Sequence, residues 1–168
     1  INKKNYWWVV RTKQKKESEA KKQLVNQGFK IYLPTFKKEH HNKHVVIAKT
    51  IPLFPRYLFL KSDNKAIKMI HNIRSTFGVS ELLKIGETPL KVPETLINNL
   101  QFLENQQINI AKSYLNKGDK VLITSGLYKG LDGIFQIEDG LQRAVILINI
   151  LNKDTPLNVR KVLLEKLN

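Results

Sequence analysis

The chain has no cysteine among its 168 residues, and it has only 14 acidic residues against 29 lysines and arginines. The absence of cysteine excludes disulfide bonds, thiolate zinc sites and a cysteine nucleophile. No long uncharged apolar segment occurs, and the apolar run near the N-terminus is too short for a signal peptide core. We therefore expect a soluble, cytoplasmic protein that makes no membrane contact.

The shortage of acidic residues leaves a formal charge of +15, and this charge is unevenly distributed. Residues 1–103 hold 20 of the basic and 7 of the acidic residues. Such a surplus favours a polyanionic partner, because cations that neutralise phosphates release condensed counterions. Nucleic acid is the first candidate, although a lysine-rich proteome would give the same charge without one.

A glycine-rich stretch, "SGLYKGLDGIF" at residues 125–135, raises the question of phosphate binding. A P-loop requires Lys-Ser/Thr directly after its last glycine, whereas Gly133 is followed by Ile134 and Phe135. The spacing also fails the dinucleotide fingerprint, and no strand–helix–strand unit follows. The stretch instead predicts a tight turn between two strands of a small sheet.

Residues 1–103 alternate between strand and helix patterns. "YWWVVRT" at 6–12 predicts a buried strand. A helix follows in which Glu17 pairs with Lys21 and which Gly28 ends. Further strands are predicted at 29–34, around Pro52 and Pro55, and from residue 77, with helices at 64–72 and after Pro93. The polar stretch "FKKEHHNKH" predicts a hairpin tip, and the 64–72 helix carries Ala66, Ile67 and Ile70 on one face.

The C-terminal third has a different pattern. Residues 104–116 predict a linker, and 117–168 contain short apolar runs separated by turn signals, among them Asp139-Gly140. This spacing predicts a small β-barrel that includes the run "RAVILINIL". Residues 141–153 contain no glycine or proline, so a helix there is a second possibility.

Catalytic and metal-binding patterns are weak. His40 and His44 stand four residues apart beside Glu39 and His41, but these residues lie in the predicted hairpin tip. No Ser/His/Asp arrangement or pair of carboxylates stands in a recognisable context. We expect no catalytic residue, no metal and no cofactor.

Several segments resemble the NusG family of transcription elongation factors. They are "YWWVV" with its basic helix, "PLFPRYLFLK", "GVSELLKIG", the KOW-like glycine turn and "TPLNV"; "LFPRYLFL" and "LINILNKD" resemble the RfaH-type members. The resemblance implies an N-terminal NGN α/β sandwich at 1–103, in which helices flank an antiparallel sheet, a linker at 104–116 and a KOW β-barrel at 117–168. The resemblance to the RfaH-type members also implies an alternative, in which the C-terminal domain is a helical hairpin packed on the first domain.

The resemblance also implies contacts for individual residues. An exposed apolar patch is expected to bind the clamp helices of the largest subunit of RNA polymerase, and a basic surface is expected to touch the non-template DNA strand. The polymerase-binding positions are Phe54, Tyr57, Phe59, Ile97 and Leu100, and the matching DNA-binding positions are Lys13 and Thr76. By their charge, further cations are expected to add phosphate contacts: Lys15, Lys16, Lys21, Lys22 and Arg74. RfaH-type proteins carry arginine, histidine and arginine where this chain has Glu19, Gln23 and Phe77.

Positions in the C-terminal domain match a contact with the first domain or with a small-subunit ribosomal protein. They are Ile123, Phe135, Arg143, Leu147 and Leu151. Arg143 matches one half of an interdomain salt bridge whose acidic position is Ile51 here.

The function implied is that of a monomeric antitermination factor that suppresses pausing on a restricted set of operons. The alternative is a ribosome-associated or RNA-binding KOW protein.

Overall fold

A computed structural model describes residues 5–110 and 139–151. These residues form two compact units: 5–34 with 54–97, and 35–53 with 98–110 and 139–151. The strands are β1 Tyr6–Thr12, β2 Ile31–Tyr32, β3 Thr35–Asn42, β4 Val45–Pro52, β5 Tyr57–Lys61, β6 Val79–Leu82, β7 Lys84–Ile85, β8 Thr88–Pro89 and β9 Lys91–Pro93. The helices are α1 Glu17–Asn26, α2 Asn64–Lys68, α3 Ile70–Ser75, α4 Glu94–Ile110 and α5 Gly140–Leu151.

The first unit is built on a five-stranded antiparallel sheet with β1 at its centre. β5 and then β2 lie on one side of β1, whereas β6 and β9 both pair with its other edge. Trp7 to Val10 are all buried, so both faces of β1 are covered, which explains why this strand has a continuous apolar run in place of an alternating pattern. The predicted antiparallel sheet flanked by helices is thus confirmed for this unit.

One face of this sheet packs against the helices. Trp8 and Val10 of β1 lie opposite Leu60 and Leu58 of β5, and all four belong to one buried cluster. α1 adds Ala20 and Leu24 to the cluster, and α3 adds Ile73. The alternation of side chains along a strand places these residues on the same face.

The end of α1 follows from a glycine. Gly28 adopts φ +87°, a left-handed conformation that costs glycine little. Its amide donates to the carbonyl of Val25 at 2.8 Å, and the amide of Phe29 donates to that of Leu24 at 3.1 Å. This pair of bonds is the Schellman motif, and Phe29 and Leu24 join the buried cluster, so the predicted stop at Gly28 is confirmed.

The second unit contains the β3–β4 hairpin and most of α4, together with α5. Only Lys43 and His44 form the turn of the hairpin, so the predicted tip at 36–44 is largely strand. Residues Val45 to Thr50 of β4 are all exposed.

The structure corrects three further predictions. α5 is a helix where a strand was favoured, because a run of apolar residues without a clear period fits either element. α4 continues to Ile110, through the first part of the predicted linker. The helix predicted at 64–72 is split at Met69 into α2 and α3, and Ile67 is exposed while Ala66 is buried. The division into domains at 103 and 117 stays a prediction.

Candidate functional site

The second face of the main sheet carries an aromatic cluster, which we define as Tyr32, Phe54, Tyr57 and Phe59. The ring of Phe59 stacks on Tyr32 with centroids 6.1 Å apart and meets Phe54 edge to face at 6.4 Å. Such geometries add stabilisation beyond the buried area. Tyr57 lies on the same face as Phe59, because it is two residues earlier in β5.

Burial of this cluster differs from the sequence-based expectation of an exposed patch. Phe54, Phe59 and Ile97 are fully buried, whereas Tyr57 is half-buried. Consecutive residues Leu58, Phe59 and Leu60 of β5 are all fully buried, so alternation along the strand does not separate a core face from a solvent face. Leu100, in the second unit, is also fully buried. The exposure predicted for Phe54, Phe59, Ile97 and Leu100 was therefore wrong.

A group of exposed cations, which we call the basic surface, lies on the first unit. Lys13, Lys15 and Lys16 occupy the β1–α1 loop, Lys21 and Lys22 lie on α1, and Arg74 lies in α3; all six are exposed, as predicted for phosphate contacts. Glu19 and Gln23 of α1 engage each other through a 2.9 Å hydrogen bond. Glu17 was predicted to pair with Lys21. It is buried, and its carboxylate instead accepts a hydrogen bond from the amide of Arg56 at 2.9 Å.

Thr76 does not lie on the basic surface as expected. Its side chain is buried; its hydroxyl donates to the carbonyl of Asn72 at 2.7 Å and accepts from Gln27 Nε2 at 2.8 Å. These bonds connect α3 to the end of α1. Thr76 therefore positions the loop that follows it, and a direct DNA contact by its hydroxyl is not available in this conformation.

Phe77 was not among the residues predicted from the sequence to contact DNA. It is 61% exposed, and Lys16 Nζ lies 5.7 Å from the centroid of its ring. The backbone of Lys13 donates to the carbonyl of Gly78 at 2.8 Å, so the β1–α1 loop and the loop at 76–78 are adjacent. The signal for Phe77 was an apolar residue at a position where RfaH-type proteins carry arginine.

A salt bridge fixes the start of α4 to β5. Lys61 Nζ lies 3.0 Å from Glu94 Oε1, and the amide of Glu94 donates to the carbonyl of Asn5. Hydrogen bonds from Lys61 and Asn5 hold the pKa of Glu94 below its ordinary value of 4.5. The carboxylate is therefore ionised at neutral pH and supports the junction.

In the second unit, α5 buries a charged side chain. Arg143 Nε donates to the carbonyl of Leu53 at 2.7 Å, and the guanidinium carbon lies 4.6 Å from the centroid of Phe36. Burial lowers the pKa of Arg143, an effect that the charge of Asp139 opposes. Leu147 is also buried, and Leu151 is the last residue of α5. Ile123 and Phe135 lie outside the described residues.

Within the described part of the chain, no three His, Asp or Glu side chains are grouped as a metal ion would require. No helix in residues 5–110 or 139–151 has both the length and the apolar character to span a bilayer.

Comparison with known proteins identifies a segment that contains the first unit and the β3–β4 hairpin of the second. The family model described as "Transcription termination factor nusG" matches residues 5–101. The chain belongs to the NusG family. A solved structure titled "Domain interaction in Thermotoga maritima NusG" is similar at 20% sequence identity and a TM-score of 0.41, over 73% of this chain and 68% of that chain. NusG family proteins are transcription factors that act in elongation and termination and interact with RNA polymerase.

Proposed function

We propose that the chain is a non-catalytic elongation and antitermination factor of the RfaH type. It binds the clamp helices of RNA polymerase and the non-template DNA strand, acts in the cytoplasm on transcribed DNA, and suppresses pausing and termination on a restricted set of operons. The observation that best supports this proposal is the presence, in one unit of a NusG family protein, of both the basic surface and the aromatic cluster.

Tyr57 is, of the five residues predicted to bind polymerase, the one best placed for a direct contact. It is half-buried, whereas contact through the buried Phe54, Phe59, Ile97 or Leu100 requires a rearrangement. A tyrosine suits such a contact because it buries much area while losing few side-chain rotamers. We infer that Phe54 and Phe59 shape the site from beneath.

The helical form of residues 140–151 bears on the second domain. We propose that α5 belongs to a resting form and that the KOW β-barrel is a second form of the same segment. The expectation that the resting form covers the polymerase-binding residues stays a prediction, as does contact with a ribosomal protein.

Capture of polymerase tests the main proposal. We expect tagged protein to retain core RNA polymerase from cell extract, and we expect Tyr57→Ala to weaken the affinity about 10- to 30-fold with an unchanged melting temperature. Tyr6→Ala, which truncates another half-buried tyrosine of the same sheet, is the matched control. Phe59→Ala is unsuitable, because truncating a buried phenylalanine costs about 3–5 kcal/mol of folding stability.

Two results would contradict the proposal. Retention of ribosomes or RNA without polymerase favours the alternative function. Equal capture by wild type and Tyr57→Ala removes Tyr57 from the polymerase contact.

A further inference from the structure

Phe77 projects into solvent from a loop whose other residues are fixed. Its side chain is 61% exposed, whereas Thr76, Gly78 and Val79 are buried. An exposed phenylalanine on a flexible loop would need no explanation. One that is held outward by a rigid loop points to a contact with another molecule.

The loop is anchored on both sides of Phe77. Before it, the Thr76 hydroxyl is held by Asn72 and Gln27. After it, the carbonyl of Gly78 accepts from the amide of Lys13, and the amide of Val79 donates to the carbonyl of Thr76 at 3.0 Å. The ring is therefore presented before any partner binds, which reduces the entropy lost on binding.

Gly78 brings this loop close to α1. Its φ of +87° is one that residues with a side chain rarely adopt, and a Cβ at this position would lie 3.1 Å from the amide nitrogen of Ala20. The loop follows the surface of α1 because glycine allows this approach.

A cation lies beside the exposed ring, and two more are in the same loop as that cation. Lys16 Nζ lies 5.7 Å from the ring centroid, which permits a cation–π contact. Lys13 and Lys15 are exposed in the same loop as Lys16, and a hydrogen bond from the amide of Lys16 to the carbonyl of Lys13 orders that loop. An aromatic ring beside one lysine, next to a loop that carries two more, offers an apolar face together with phosphate-binding charges.

We propose that Phe77 is a stacking platform for one unpaired base of single-stranded DNA, with Lys13, Lys15 and Lys16 binding the adjacent phosphates. This inference rests on the proposed function, which assigns the basic surface to the non-template strand. Single-strand binders combine a basic path for the backbone with aromatic rings on which bases stack. The bases of a duplex are stacked on each other and offer no free face, so the occupant is single-stranded.

Stacking also has a consequence for sequence preference. Every base has a π-face, so a ring discriminates little among bases, whereas arginine can read a base edge through paired hydrogen bonds. Because this chain has phenylalanine where RfaH-type proteins carry arginine, we expect this position to favour single-stranded over duplex DNA more strongly than it favours one base over another.

Fluorescence anisotropy with a labelled 12-nucleotide single strand and its duplex tests the proposal; the length is about that covered by a small single-strand site. We expect Phe77→Leu to weaken single-strand affinity about 5- to 100-fold and to leave the duplex affinity unchanged. Phe102→Leu is the matched control, because Phe102 is an equally exposed phenylalanine in α4. Phe77→Tyr, which keeps the ring, should bind as wild type does.

Salt dependence separates stacking from charge. Phe77→Leu removes no charge, so the slope of log affinity against log salt should stay as in wild type, whereas Lys16→Gln should reduce the slope by about 0.7. An abasic site scanned along the strand should abolish the difference between wild type and Phe77→Leu at one position.

The outcomes distinguish this inference from the proposed function. Single-strand binding that weakens in Lys16→Gln but not in Phe77→Leu overturns the platform and leaves the DNA contact standing. Equal weakening of single strand and duplex by Phe77→Leu also overturns it. No single-strand affinity in wild type removes the proposed DNA contact itself.

Discussion

The buried guanidinium of Arg143 donates from Nε to the main-chain carbonyl of Leu53 at 2.7 Å. The same group lies 4.6 Å from the centroid of the Phe36 ring. The resemblance implies an acidic partner for Arg143 at residue 51, where this chain has Ile51. The arginine instead contacts the carbonyl of Leu53, two residues later in the chain, and the ring of Phe36, the cross-strand partner of Ile51. A backbone acceptor is present whatever the side chain at residue 53.

Arg143→Ala should destabilise α5. The change leaves the buried carbonyl of Leu53 without this donor, at about 1–3 kcal/mol, and removes a cation–π contact worth about 0.5–2 kcal/mol. Carbon chemical shifts of residues 140–151 should lose their helical values, while those of β1 and β5 stay unchanged.

Gln142→Ala, at the exposed neighbouring position of α5, is the control and should keep the helix. Helical shifts that persist in Arg143→Ala would show that the guanidinium does not hold α5.

Acid should weaken the junction of β5 and α4 through Glu94. Its pKa is lowered in the folded protein by Lys61 and Asn5, so the ionised carboxylate contributes stability that is present above about pH 4.5 and is lost as the pH falls through the folded-state value. Glu94→Gln lacks this contribution. The gap in melting temperature between wild type and Glu94→Gln should therefore be wider at pH 7 than at pH 3.

Glu87→Gln, which neutralises an exposed carboxylate at the β7–β8 turn, provides the comparison for a general charge effect. A gap of the same size at both pH values would mean that Glu94 acts through packing and not through its charge.

Local sequence signals accounted for much of the first unit. The run at Trp7–Val10 predicted the central strand, Gly28 predicted the end of α1, and the exposed lysines of the basic surface lie where their sequence context placed them. These features depend on near neighbours in the chain. They can therefore be predicted from a single sequence.

Features that depend on distant residues were missed. Phe59 is buried against Tyr32 and Phe54, on the face opposite Leu58 and Leu60. The buried hydroxyl of Thr76 accepts a hydrogen bond from Gln27, 49 residues earlier. Helix and strand both fit the apolar residues 141–151, and the helix contains Arg143 bound to Leu53, a contact across 90 residues. Phe77 was not predicted as a site residue because its replacement of an arginine indicated only a lost contact, and its exposure beside Lys16 appears only in the structure.

Gly78→Ala should destabilise the first unit more than Gly86→Ala. Both glycines have positive φ, at +87° and +59°, which costs an L-residue about 1–2 kcal/mol. At Gly78 the added Cβ also meets the backbone of Ala20 at 3.1–3.2 Å, whereas at Gly86 nothing lies within 4 Å. Urea denaturation of both variants measures the difference, and equal losses would show that α1 moves away without cost.

Substitution of Lys49 should stabilise the β3–β4 hairpin. Lys38 and Lys49 are direct cross-strand partners, and both are exposed. Like charges in this arrangement repel, whereas an opposite pair contributes about 0.2–1 kcal/mol. Lys49→Glu should therefore slow amide hydrogen exchange in β3 and β4 at low salt.

Lys49→Gln separates relief of repulsion from attraction. It removes the repulsion alone, so its amide protection should lie between that of wild type and Lys49→Glu. Because the pair is exposed, added salt should bring the three proteins together. If both variants gain the same protection over wild type, an opposite charge at residue 49 adds nothing to the relief of repulsion. If neither variant differs from wild type, the two lysines already avoid each other through their flexible side chains.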